Sequence, residues 1–141
     1  MKEPGTVDPL LGLGLYNYWR SYYTQRLRFL PFFPDRREEG KRELLRAVRE
    51  TTFSSILAMI SLTFIDFEEK RHEEVLEKTR GPLGKYPGNT ILRMLRGQSL
   101  IALKRYHEAI DEFEKILAID PSLTKSHLFL GIAWAGLQDR T

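Results

Sequence analysis

Between 90 and 121 apolar residues recur at Leu92, Leu95 and Ala102, and again at Ala109, Ile110, Phe113, Ile116 and Leu117, the spacing of two amphipathic helices divided at Lys104 and Arg105. That pairing limits the fold more than any other feature. Two antiparallel helices joined by so short a turn need a small residue where their backbones approach, so Gly97 is expected to face Ala109, with Phe113 filling the space between them. Pro121 cannot continue the second helix and turns the chain. One such hairpin leaves apolar faces uncovered, and further copies are expected beside it.

A second copy lies 34 residues upstream, where KRHEEVLEKTRGPLGKYP aligns with KRYHEAIDEFEKILAIDP, Lys70 over Lys104 and Pro87 over Pro121. It is degenerate, with Val75 in place of Ala109 and Thr79 in place of Phe113, and Gly81-Pro82 is expected to end its helix a turn or two early. The helix before it, capped by Thr51 or Thr52, has Phe53, Ile56, Leu57, Ile60, Phe64 and Phe67 on one side and Ala58, Met59, Leu62 and Ile65 on another. Both faces are apolar, as for a helix held between two neighbours. After Pro121 the pattern resumes with Leu130, Gly131 and Trp134, and His127 is expected in the core. Toward the start, Asp8-Pro9 opens a helix with apolar and aromatic residues on every side, expected to be largely buried, where Gly12 and Gly14 permit close packing. An insertion at 24–34, broken by Pro31 and Pro34, precedes a helix capped by Asp35 with Gly40, Leu44, Ala47 and Val48 on one face.

Gly97, Tyr106, Ala109, Phe113 and Asp120-Pro121 fall where the tetratricopeptide repeat places its marker residues, and the chain resembles that family, most closely over 90–137, less over 53–87 and least before. The resemblance implies an all-α fold, a right-handed solenoid of about six to seven helices in one domain over 1–141. Its parts are a divergent repeat at 9–50 carrying the insertion, a degenerate repeat at 51–87, a regular repeat at 90–121 and a closing helix at 124–138. Beginning and ending inside the pattern, the chain is expected to be an excised piece of a longer repeat protein. First helices of this family line a concave groove in which peptides lie, which implies a non-catalytic interaction scaffold. The groove-facing residues by the family pattern are Ile91, Met94, Gln98, Ile101 and Ala102, with Lys125, Leu128, Ile132 and Ala135. They are mostly apolar, which suits an amphipathic helix, an extended hydrophobic segment or a second copy in a homodimer. Lys125 is the one residue there of the kind that clamps a peptide carboxylate, which argues against a chaperone-tail adaptor.

Arg93 and Arg96 depart from that pattern by standing where large apolar residues are usual, so either Asp66 accepts them or the helix is rotated and both reach solvent. Composition narrows the remaining chemistry. With 42% hydrophobic and 29% charged residues the chain can bury a core, and with no cysteine it has neither disulfides nor thiolate metal sites. Net charge is +3, and basic residues alternate with acidic ones, so no nucleic-acid partner is expected. Neither a secretory signal nor a membrane span is visible, which makes the cytoplasm the default compartment. The loop 81–86 has Tyr86 where a phosphate loop needs Ser or Thr, and Ser122 with Lys125 lacks companion motifs. His72 with Glu73 and Glu74, and His107 with Asp111, supply too few ligands for a metal. No cofactor, metal or enzymatic activity is therefore expected. Tyr16, Tyr18, Trp19, Tyr22, Tyr23, Phe29, Phe32 and Phe33, interleaved with Arg20, Arg26 and Arg28, read best as a cap over the stack. The alternative is a membrane- or nucleic-acid-associated module using the same residues.

Overall fold

The computed structural model describes residues 9–27, 34–50 and 54–139, whose regular structure is helical, with no strand among them. Seven α-helices follow in order, α1 (Pro9–Tyr23), α2 (Arg37–Glu50), α3 (Ser55–Glu68), α4 (His72–Lys85), α5 (Thr90–Ala102), α6 (Tyr106–Ile119) and α7 (Thr124–Gln138), with a short 3-10 turn at Gln25–Leu27 after α1. None of them is long and apolar enough to cross a membrane. The expected caps at Asp8, Thr51 and Thr52, and residues 28–33 of the insertion, lie outside the described residues. Helix contacts divide the chain into two compact units, one up to Leu62 and one from Thr63 onward.

In the first unit α1 packs on α2. Their backbones meet at two glycines: a Cβ on Gly40 would lie 2.6 Å from the Gly14 carbonyl oxygen, and one on Gly14 would lie 2.8 Å from Leu44 Cγ. So close an approach leaves room for small and polar side chains between the helices, and the buried side of α1 is Gly14, Asn17, Tyr18 and Ser21. Asn17 donates to the Glu43 carboxylate at 2.9 Å, and Ser21 Oγ accepts the Arg36 backbone N–H at 2.9 Å. The expectation that α1 is largely buried therefore holds for the side that packs on α2 and is corrected for the other. Leu13 and Tyr16 stand half or more exposed, and Gly12 faces open space. Asp35 accepts the Arg37 backbone N–H at 3.1 Å at the head of α2.

The second unit repeats itself. At the end of α3, Lys70 takes a left-handed φ of 62°, its N–H reaches the Phe67 carbonyl, and the Arg71 N–H reaches the Asp66 carbonyl. At the end of α5, 34 residues on, Lys104 has φ 59°, with Lys104 bonded to Ile101 and Arg105 to Leu100 in the same way. This is the reciprocal bond pair that closes a helix through a left-handed residue, here lysine rather than glycine. The pattern continues where Tyr86 N–H meets the Pro82 carbonyl and Asp120 N–H meets that of Ile116, again 34 apart. Along the chain α4 packs on α5, α5 on α6 and α6 on α7. The core between them holds Leu76, Leu100, Ala109, Ile110, Phe113, Ile116 and Ala133.

Two details differ from the sequence expectations. Pro82 does not end α4 early but sits inside it. An interior proline costs about 3 kcal/mol, yet Gly81 offers its ring no Cβ to strike, and burying Leu83 in the last turn returns roughly 2 kcal/mol. Gly97 lies under Phe113, the residue expected to fill the space there, since a Cβ on it would be 2.7 Å from the ring. His127 is exposed, with Nε2 turned back to the Pro121 carbonyl at 2.8 Å, while Ser126 takes the buried place.

Candidate functional site

The residues that the family resemblance assigns to a groove lie on α5 and α7, two helices that each pack on α6 and also touch one another. Because α5 and α7 are related by the 34-residue interval, Ile91, Met94, Gln98 and Ile101 correspond to Lys125, Leu128, Ile132 and Ala135. The inner side of α5, Leu92, Leu95 and Ser99, is buried, as are Ser126 and Ala133 at matching positions of α7. That arrangement turns the assigned residues outward. Ile91 is 57% exposed, Leu128 60% and Ile132 42%. Met94 and Ile101 are half-buried and rest against the core, Gln98 is half-buried, and Ala102, Lys125 and Ala135 are exposed. The result is a mainly apolar strip along two neighbouring helices with one cation, Lys125, at its edge.

Beneath the strip, α5 is held by charge. Arg93 donates to Glu112 at 2.6 Å and to the Pro87 carbonyl at 2.7 Å. Arg96 lies 3.4 Å from the same carboxylate, with a further hydrogen bond of 2.8 Å to the Leu76 carbonyl and one of 3.1 Å to Thr79 Oγ1. Both guanidinium groups are sheltered, at 12% and 19% side-chain exposure. Neither Asp66 nor solvent receives them, so both sequence readings of these arginines are corrected. Glu112, on α6 opposite, is the acceptor that sequence reasoning missed. Its signal was an acid placed between Ile110, Phe113 and Ile116 on an otherwise apolar side. The substitution that makes Thr79 stand in the place of Phe113 also has a consequence here, because a ring at that position would occupy the space that Arg96 uses. Asp66, 1% exposed, instead accepts Arg71 and Lys78 and ties α3 to α4.

The titratable groups are structural in their contacts. His72 Nδ1 lies 3.2 Å from the buried Ser99 hydroxyl, and burial, helped by the nearby Lys70 charge, holds the imidazole below its ordinary pKa. Hydrogen bonding to Arg105 lowers the Glu108 carboxyl, and hydrogen bonding to Ser122 lowers that of Asp120. Among the described residues no group of three or more His, Asp and Glu is placed to hold a metal ion. On α1 the aromatic cluster stacks on itself, Trp19 against Tyr23 at 5.8 Å and edge-on to Tyr22 at 5.4 Å, with Arg20 over Tyr16 at 5.9 Å. Compared with family models, curated proteins and solved structures, the chain matches none.

Proposed function

We propose that this chain is a non-catalytic protein-interaction scaffold, built of tetratricopeptide-like hairpins stacked as a right-handed solenoid. In this reading the strip on α5 and α7 receives an amphipathic helix or an extended apolar segment of another protein. The observation that carries it is the exposure of Ile91, Leu128 and Ile132 beside Met94 on neighbouring helices of equivalent register. Exposed apolar residues gathered in one place mark interaction surfaces more often than scattered ones do. Met94 adds a side chain that adapts to differently shaped partners. The 34-residue recurrence of the turn hydrogen bonds supports the repeat assignment.

Selection of the chain against a display library of random peptides tests the reading. Enriched peptides are expected to carry apolar residues at helical or alternating spacing. Their affinity is expected to fall at least about tenfold for Met94→Glu and for Leu128→Glu, and to be unchanged for Glu114→Gln on the far helix. Failure to enrich any peptide, or equal affinity for the strip variants, contradicts it.

A further inference from the structure

We infer that the strip on α5 and α7 takes its partner as an extended segment and not as a helix, with the Gln98 side-chain amide pairing with a peptide group of the bound backbone; this rests on the peptide-binding reading proposed above. Gln98 is the one uncharged polar residue of the strip. On α5 it has Met94 one turn before it and Ile101 and Ala102 one turn after, and its counterpart on α7 is Ile132. The polar side chains around it on α5 are already engaged, Arg93 and Arg96 with Glu112 and Ser99 with His72. Gln98 is not. Among the described residues its amide has no hydrogen-bond partner, and the half-buried side chain keeps that amide within reach of water.

Whatever covers the strip takes that water away. A helix lying on it has its own N–H and C=O groups paired four residues apart and presents an apolar face, so the amide would exchange water for nothing. An extended segment turns every second side chain toward the strip and keeps peptide groups that no bond within the segment uses. A side-chain amide carries both an acceptor and donors, which match the N–H and C=O of such a backbone. Charge fixes the flank. Neither α5 nor α7 contains an acidic residue, whereas α6 carries Glu108, Asp111, Glu112 and Glu114. Lys125, exposed at the edge of the strip, has no ion-pair partner among the described residues. The occupant is therefore an extended segment of another protein, apolar at alternate residues, with an acidic and not a basic residue at the end that lies beside Lys125.

Calorimetric titration of library-selected peptides into the whole chain tests this. Gln98→Met keeps the length and helix propensity of the side chain and removes only the amide, and circular dichroism confirms that the variant is folded. Its affinity is expected to fall about tenfold although the strip has become more apolar, whereas a helical partner would bind it as well as the wild type or better. Methylating the peptide nitrogens one at a time is expected to find one whose loss is about tenfold against the wild type and small against Gln98→Met, because both changes remove the same hydrogen bond. Carbon-13 shifts of the bound peptide are expected to be those of extended backbone. Lys125→Gln is expected to weaken a peptide bearing the acidic residue about threefold and to leave unchanged one in which that acid is replaced by its amide. Helical shifts in the bound peptide, an affinity of Gln98→Met equal to or above the wild type, equal methylation losses in the two proteins, or enriched peptides with basic flanks overturn the inference and leave the strip a peptide site. A chain that enriches no peptide overturns the peptide-binding reading and this inference with it.

Discussion

Two buried acidic residues have different consequences when removed, and the difference lies in their partners. Glu112 holds Arg93 and Arg96, whose side chains are largely sheltered, so Glu112→Ala leaves two cations without a counter-charge or ready access to water. A loss of about 3 kcal/mol is expected from breaking such a buried network. Asp66 is itself more deeply buried, but Arg71 and Lys78 are about 40% exposed and can turn outward when it is removed, so Asp66→Ala is expected to cost about 1–2 kcal/mol. Urea unfolding of the two variants checks the order, and the reverse order would mean that the arginines find other acceptors. His72 adds a pH dependence of known sign. Its folded pKa is lowered, so the unfolded chain takes up the proton first as pH falls. Stability contributed by the neutral imidazole is present above the ordinary histidine range and is lost as pH falls through the folded value. Between roughly pH 7 and pH 5 the melting temperature is expected to fall more for the wild type than for His72→Gln.

At the scale of helices, the glycines separate packing from mere propensity. Gly97→Ala places a methyl against the Phe113 ring and is expected to cost about 2 kcal/mol. Gly131→Ala, 34 residues on, meets open space and is expected to gain up to about 1 kcal/mol from helix propensity alone, measured by urea unfolding. Much of this level was legible beforehand. The spacing of Leu92 to Ala102 and of Ala109 to Leu117 marked the two helices of the hairpin, because amphipathic periodicity follows directly from burial on one side. Gly81-Pro82 reads as a helix end by propensity alone, yet the glycine that weakens the helix also spares the proline ring a Cβ, and the burial of Leu83 after it is not visible in the sequence. The orientation of α1 was illegible for a different reason. Its buried side is set by the glycine crossing with α2, and a helix apolar all round carries no stripe that says which side is inward. Likewise the arginine partner could not be read from α5 alone, since Glu112 lies on another helix and Thr79 on a third.

For the whole molecule, the account rests on apolar residues that folding leaves uncovered in defined places. The strip on α5 and α7 is the basis of the proposed scaffold. Of the strip, the family resemblance supplied the membership of Ile91, Met94, Leu128 and Ile132, while their exposure depended on what α6 covers. Titration calorimetry of a library-selected peptide at three temperatures tests the central claim most directly. Burial of an apolar strip is expected to give a negative heat-capacity change, lost in Leu128→Glu, with an affinity that changes little with salt. A heat-capacity change near zero together with an affinity that collapses as salt rises would contradict it, and would move recognition from the strip to the charged surface of the protein.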